Sequence, residues 1–233
     1  MSERAYRRVV RHAFARVPFY RDQWVAAGRV LDEPVPVPSA ALAGQEHRLC
    51  PFARPFDPAR EPSLWIGDSL REALAVAGAP RGLPVLEVRR AVLDRRGYGV
   101  LLSEDAKVVD ETRRQELNAE ALGRATRVVV VGESAPPLAG VEVTLLRRVT
   151  LGQAADGDLV HDPHLGYFAA RAPCGRIHLL WRRFHARGHP PALTALRSRR
   201  PTLVAVIPDD PGQTRLASCA EHGTPIFEQG ADR

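Results

Sequence analysis

The stretch Arg127-Val-Val-Val-Val-Gly132 decides the fold class of this chain. A short run of β-branched residues has the composition of a strand that is buried on both faces in a parallel sheet. A second apolar run, residues 141–146, follows after a proline-rich loop. The preceding residues 110–124 place leucine and alanine on one helical face and acidic side chains in the first turn, where the helix dipole favours them. This order of helix and strands predicts an α/β fold.

The patterning divides the chain into three predicted parts. Residues 1–62 carry apolar side chains at helical spacing and then a proline-rich stretch, so we expect an N-terminal helical and extended segment. Residues 63–150 are the predicted α/β core. Residues 151–233 consist of shorter segments rich in His, Arg and aromatic residues, which predicts a strand-rich C-terminal part with residues 203–207 as its clearest strand.

The composition is that of an ordinary globular protein. The 233 residues are 45% hydrophobic and 26% charged, which excludes a largely disordered chain. The formal net charge of +6 arises from a basic set made up of arginine and a single lysine, Lys107. No apolar run approaches the roughly 18 to 20 residues of a membrane-spanning helix. The N-terminus lacks the apolar stretch of an export signal, so we expect a cytoplasmic protein without a membrane span.

Two short Cys/His pairs are the most specific chemical pattern in the sequence. One pair is Cys174 with His178, and the other is Cys219 with His222. Two thiols and two imidazoles suit tetrahedral zinc, and the two pairs would tie distant parts of the chain together. We therefore expect a structural zinc site, closed to substrate, in the C-terminal part.

Two alternatives to this metal site remain open. The cysteines could be small buried apolar residues, with the histidines as ordinary surface or core polar groups. A third pair, His47 with Cys50, could also replace one of the two pairs. Three cysteines in a long chain without an export signal favour reduced thiols or metal ligands over a disulfide framework.

The adjacent residues His161 and Asp162 are candidate catalytic residues. An imidazole beside a carboxylate could perform acid/base chemistry. The alternative is structural, because Asp162-Pro163 also has the sequence of a plain turn. Histidines among many arginines often lie on a solvated surface as well.

Two further stretches are candidates for substrate binding. Gly132, Glu133 and Ser134 directly follow the predicted strand, at the carboxyl end where α/β folds place ligand-contacting loops. Arg182 and Arg183 belong to a basic patch that could contact phosphates of coenzyme A or of a nucleic acid, or could be a solvated face. The sequence has no P-loop, dinucleotide fingerprint or nucleophile elbow, so the enzyme classes built on those motifs lose their usual support.

The N-terminal stretch resembles a family of adenylate-forming enzymes. Residues 11–28 contain Val17-Pro-Phe-Tyr20 ahead of Trp24, and residues 35–42 continue as Val-Pro-Val-Pro-Ser-Ala-Ala-Leu. This order of a helix, a Trp-containing helix and an extended proline segment looks like the opening of phenylacetate-CoA ligases and coenzyme F390 synthetases. The resemblance implies a partial ligase-like α/β core, in which Gly132 and Glu133 match the loop that flanks the family's adenine site.

The Cys/His pairs also resemble zinc ligands found in part of this family, with His222 standing where the family has a cysteine. The family's phosphate-binding loop and its mobile C-terminal domain with a catalytic lysine have no counterpart here, and Lys107 does not match that lysine. The resemblance therefore implies a truncated, degenerate relative that lacks the adenylation machinery. Such a protein would bind an acyl, acyl-CoA or carrier-tethered substrate, as a biosynthetic accessory or as a repurposed enzyme.

A non-enzymatic alternative stays open beside this hypothesis. The arginine surface could dock an acidic partner such as an acyl carrier protein. Nucleic-acid binding ranks below both, because no helix-turn-helix, RNP-like or zinc-finger pattern supports it. The sequence leaves open whether the chain catalyses a reaction.

Overall fold

A computed structural model describes residues 2–28, 34–57, 69–90, 99–106, 110–197 and 200–230. The helices in these ranges are α1 (Ser2–Arg16), α2 (Pro18–Ala26), α3 (Leu70–Val76) and α4 (Glu111–Leu122). The strands are β1 (Val37–Pro38), β2 (Val85–Arg89), β3 (Gly99–Leu102), β4 (Arg127–Gly132), β5 (Glu142–Val149), β6 (Leu159–Asp162), β7 (Gly166–Arg171), β8 (Ile177–Leu179), β9 (Phe184–Arg187), β10 (Ala192–Ala195), β11 (Val206–Ile207), β12 (Thr214–Ser218) and β13 (Pro225–Gln229). Within these ranges, no helix has the length and apolar character needed to cross a membrane.

Nine of the described strands form one mixed sheet, in the order β3-β2-β4-β5-β6-β7-β8-β13-β12. The strands from β3 to β6 in this order pair in parallel. From β6 onward, β7, β8, β13 and β12 pair antiparallel. The predicted α/β class with a strand-rich C-terminal part is confirmed. The sheet runs without a break past residue 150, and the three-part division of the chain stays a prediction.

Strand β4 shows why the parallel half of the sheet is buried on both faces. Val129 and Val131 lie in the larger hydrophobic core with residues of α1, α2 and α3. Val128 and Val130 lie in a smaller core on the other face, together with apolar residues of β2 and β3. An uninterrupted run of valines satisfies both cores, because successive side chains of a strand point to opposite faces.

The two N-terminal helices pack with their aromatic residues inward. Tyr20 and Trp24 of α2 are fully buried, and the Trp24 ring stacks on Phe14 of α1 at a centroid distance of 5.8 Å. The Tyr20 hydroxyl oxygen accepts a hydrogen bond from the backbone N–H of Val204 at 2.8 Å. This bond joins α2 to the chain that enters β11. Burial raises the pKa of Tyr20, so the hydroxyl is neutral at physiological pH.

Helix α4 confirms the predicted helix but buries different residues than the periodicity suggests. Leu117 is half-buried, whereas Arg114 and Asn118 are buried. The Asn118 amide accepts a hydrogen bond from the Leu102 N–H at 2.6 Å and donates one to the Leu102 carbonyl at 3.0 Å. The end of β3, on the edge of the sheet, is thus paired by a side chain in place of another strand.

The strand predicted at residues 203–207 is shorter in the structure. Only Val206 and Ile207 belong to β11, where they pair in parallel with β1. Ala205 has a φ of 52°, in the left-handed region, which interrupts the extended backbone. The Ala205 N–H donates to the Thr194 hydroxyl at 3.0 Å. Strand β11 completes a second sheet within the described residues, in the order β1-β11-β10-β9.

The bond between Tyr20 and Val204 gives a stability prediction. Replacing Tyr20 with Phe keeps the ring but leaves the Val204 N–H buried without its acceptor. We expect the free energy of unfolding to fall by about 1 to 3 kcal/mol, measured by urea denaturation. Phe52→Ala is the control, because Phe52 is 56% exposed, and it should change the stability by less than about 0.5 kcal/mol. A Tyr20→Phe protein as stable as the wild type would contradict this role of the hydroxyl.

Candidate functional site

A large cleft lies where the parallel strands end. Strands β2 to β6 finish at Arg89, Leu102, Gly132, Val149 and Asp162, and parallel pairing brings these carboxyl ends to the same edge of the sheet. The cleft has a volume of about 880 Å³ and is lined by side chains that follow or end these strands. Ligands of open α/β sheets bind at this edge. Glu133 and Ser134, which the sequence predicts as substrate-binding residues, line the cleft.

The glycine that precedes these two residues is required by packing. A Cβ atom at Gly132 would lie 2.8 Å from the Cβ of Val88 on the neighbouring strand β2. Any side chain here would therefore push β2 and β4 apart at the start of the cleft loop. Gly132 contributes to the site through this close approach of the two strands.

The floor of the cleft is a buried charge network that sequence reasoning missed. Glu87 on β2 is fully buried and accepts a hydrogen bond from the Tyr167 hydroxyl at 2.5 Å and another from Arg89. Arg148 on β5 lies 3.8 Å from Glu87. Two guanidinium groups thus lie beside one buried carboxylate on the floor of the cleft. Burial, together with the negative charge of Glu87, raises the pKa of Tyr167 and keeps its hydroxyl protonated.

Arg148 connects the floor to the mouth of the cleft. Its Nη1 donates to the Val88 carbonyl at 3.3 Å, while its Nη2 lies 3.8 Å from the carboxylate of Glu133. The latter distance is longer than a hydrogen bond. At the mouth, Arg90 and Asp105 form a closer pair at 2.7 Å. Arg148 and Glu133 therefore lie close together in the cleft without a hydrogen bond between them.

The two predicted catalytic residues have different surroundings. His161 lines the cleft, and its ring lies against the ring of Tyr167 at a centroid distance of 4.7 Å. Asp162 is 1% exposed and does not line the cleft. Its carboxylate accepts hydrogen bonds from the Ser39 hydroxyl at 2.6 Å and from the backbone N–H groups of His164, Leu165 and Asp209 at 2.8, 3.0 and 2.9 Å.

These bonds give Asp162 a structural position. They join the turn between β6 and β7 to the segment after β1 and to the chain that follows β11. The pKa of Asp209 is raised, mainly because Asp209 is partly buried and also because the negative charge of Asp162 is nearby. His161 can reach a ligand in the cleft, whereas Asp162 holds three parts of the chain together.

The four predicted metal ligands come together in the structure. One ligand atom from each of Cys174, His178, Cys219 and His222 lies within 4.8 Å of the other three. Cys174 Sγ is 3.1 Å from His178 Nε2, and Cys219 Sγ is 3.4 Å from His222 Nδ1. Ligands of tetrahedral zinc are separated by roughly 3.3 to 3.8 Å, so the cluster could hold a metal ion with little movement.

Two neighbouring hairpins present these ligands. Cys174 and His178 flank the turn from β7 to β8, and Cys219 and His222 lie in the turn from β12 to β13. Strands β8 and β13 pair directly, with His178 opposite Ile226. The two turns contain Gly175 and Gly223 at φ values of 77° and 63°, a backbone conformation that residues with a side chain rarely adopt.

A second layer of contacts orients the ligands. The Thr224 hydroxyl is 2.9 Å from Nδ1 of His178, which leaves Nε2 facing the cluster. The hydrogen bond with His222 lowers the pKa of the Cys219 thiol to about 7. Burial lowers the pKa of His178, which favours the neutral imidazole. His47 and Cys50, the alternative pair, are not part of the cluster among the described residues.

The two arginines predicted to bind substrate have contacts outside the cleft. Arg183 forms an ion pair with Glu72 of α3 at 2.7 Å, and Arg182 lies over the ring of Trp181 at 5.3 Å. Neither lines the cleft. Because Arg183 already has a carboxylate partner, less of its charge is available to an external anion.

Comparison with known proteins adds no relative to these observations. No protein-family model matches the chain, and no curated protein sequence matches it either.

Replacing Asp162 tests whether its carboxylate is structural. Asp162→Ala leaves four donors, two of them in buried bonds and two in part-buried bonds, without this acceptor, and we expect the free energy of unfolding to fall by about 2 to 4 kcal/mol in urea denaturation. Asp156→Ala is the control, because Asp156 is an exposed aspartate in the preceding turn, and it should be nearly neutral. An Asp162→Ala protein with the stability of the wild type would show that the four bonds contribute nothing.

Proposed function

We propose that this protein binds a small acyl substrate in the cleft, as a free acid or as a thioester of coenzyme A or of a carrier protein. The observation that carries this proposal is the arginine-lined floor at the carboxyl edge of the parallel strands, where the side chains of Arg89 and Arg148 line the cleft. A carboxylate directed at this floor would pair with a guanidinium group, and a thioester carbonyl would accept a hydrogen bond from one. Apolar lining from Val88, Val149 and Pro163 suits the remainder of an acyl group.

The relationship to phenylacetate-CoA ligases is part of the same proposal. The buried aromatic packing of α1 and α2 supports it, because Tyr20 and Trp24 belong to the stretch that resembles the family. The proposal assigns binding and not adenylation. The sequence has no phosphate-binding loop, and its single lysine, Lys107, lies outside the described residues. Glu133 and Ser134, which line the cleft, would contact the acyl substrate, and Gly132 would keep the strands close beneath them.

Calorimetric titration tests substrate binding. We expect saturable binding of at least one ligand from a panel of aryl acids, α-amino acids and acyl-CoA thioesters, and no binding of ATP. Arg148→Gln should weaken that binding by at least about tenfold, because it removes a charge-assisted contact worth about 1.4 kcal/mol or more. Arg182→Gln is the matched control, since Arg182 does not line the cleft, and it should bind as the wild type does.

The contrary results are equally specific. Absence of heat with every member of the panel at high micromolar concentration would reject the binding proposal. Equal weakening by the Arg148 and Arg182 substitutions would reject the cleft as the binding site. The thermal midpoint of each variant shows whether a loss of binding merely reflects unfolding.

The metal in this proposal is zinc. Two thiolates and two imidazoles in a compact cluster are the donor set that zinc prefers, and four protein ligands leave no open position for a substrate. Cys174, His178, Cys219 and His222 would hold the ion and join the two hairpins of the antiparallel half of the sheet. Zinc would supply stability there and no chemistry.

Metal analysis of the protein without a histidine tag tests this assignment. We expect about one zinc per chain by mass spectrometry, lost in Cys219→Ser together with a lower thermal midpoint, since structural zinc binding is coupled to folding. Cys50→Ala is the matched control, because Cys50 is equally buried but lies outside the cluster, and its zinc content should be unchanged. A wild-type protein free of metal after growth with added zinc would contradict the assignment.

A further inference from the structure

We infer that the cleft selects a zwitterionic substrate, namely an acid that carries a protonated amino group next to its carboxylate and an apolar side chain. This inference rests on the proposed binding function and narrows its substrate class. The observation behind it is the pair of opposite charges that Arg148 and Glu133 place 3.8 Å apart in the cleft.

Arg148 and Glu133 place opposite charges side by side in the cleft. The Arg148 side chain is 16% exposed and lies 3.8 Å from the fully buried carboxylate of Glu87. The Glu133 side chain is 73% exposed, and its nearest described cationic group is Arg148, also at 3.8 Å. Arg90 and Asp105 form a separate ion pair at 2.7 Å. A shielded guanidinium group therefore lies beside an exposed carboxylate.

The distance between Arg148 and Glu133 fits the two charges of such a substrate. In an α-amino acid the ammonium and the carboxylate are attached to the same carbon, so both lie within a few ångströms of each other. Arg148 Nη2 and Glu133 Oε1 are similarly close but do not form a hydrogen bond. A bound zwitterion would place its carboxylate at Arg148 and its ammonium at Glu133, and each protein group would gain a charge-assisted hydrogen bond.

A substrate with one charge fits this arrangement less well. A simple carboxylate at Arg148 would lie beside the negative charge of Glu133, and a simple amine at Glu133 would lie beside the positive charge of Arg148. Each would add a like-charge contact, which in the zwitterion is offset by the second, opposite charge of the ligand. Ala135, Pro136 and Pro163 supply apolar lining for the side chain of the ligand.

Two matched trios of ligands test the inference by calorimetric titration of the full chain. The first is phenylalanine, 3-phenylpropionate and phenethylamine, and the second is leucine, 4-methylpentanoate and 3-methylbutylamine. Each trio keeps the apolar group and removes one charge at a time. We expect one of the two amino acids to bind at least about tenfold more tightly than both of its single-charge analogues.

Substitutions at the two ends of the charge pair sharpen the test. Glu133→Gln should abolish the preference for the amino acid over the matching carboxylate, whereas Arg148→Gln should weaken the binding of both. Glu133 is exposed, so its substitution should leave the thermal midpoint unchanged and the loss of preference interpretable. Glu120→Gln is the control, because Glu120 is an exposed carboxylate of α4 that does not line the cleft, and it should retain the preference.

The outcomes separate this inference from the proposed function. Carboxylates that bind as tightly as the amino acids, in a manner that depends on Arg148, would overturn the zwitterion inference and leave acyl binding intact. Preference for the amino acid that survives Glu133→Gln would also overturn the inference. If none of the six ligands and none of the thioesters binds, both the inference and the proposed function fail.

Discussion

Parallel pairing of strands β2 to β6 is the constraint on which the rest of this structure depends. It brings five strand ends to one edge of the sheet, and every group of the cleft follows from that placement. At β6 the pairing changes to antiparallel, and the remaining strands extend the same sheet to the hairpins that carry the Cys/His cluster. The cleft and the cluster are therefore two ends of one hydrogen-bonded sheet.

Two buried carboxylates hold separate parts of this sheet in place. Asp162 lies at the change of strand direction and accepts four hydrogen bonds from three parts of the chain. Glu87 lies beneath the cleft and is paired with guanidinium groups and a tyrosine hydroxyl. A buried charge is costly unless such partners compensate it, so both carboxylates also fix the positions of those partners. The floor of the cleft is preorganised by this requirement.

The sequence was sufficient to predict what local patterns encode. The valine run of β4 and the helix before it predicted the α/β class, and two closely spaced Cys/His pairs predicted the cluster. The strand-end rule predicted Glu133 and Ser134 at the cleft. The same rule applied to the end of β5 could have identified Arg148. It did not, because arginines occur along the entire chain, and a single arginine at a strand end was not distinctive.

Long-range partners explain what could not be predicted. Ser39 and Asp162 are 123 residues apart, and Glu87 and Tyr167 are 80 apart, so no periodicity or spacing links them. The structural position of Asp162 depends on those partners, and for that reason its sequence allowed a catalytic interpretation. Helix α4 is a second example. Asn118 is buried because its amide pairs with the backbone of Leu102, and the sequence does not reveal that contact.

Amide chemical-shift mapping of the ¹⁵N-labelled protein tests the central claim, that the carboxyl edge of the parallel strands is the binding site. During titration with phenylacetate and with phenylalanine, this account predicts that the largest changes occur at Glu133, Ser134, Arg148 and Val149. Changes concentrated at Arg182 and Arg183, or no changes at saturating ligand, would contradict it.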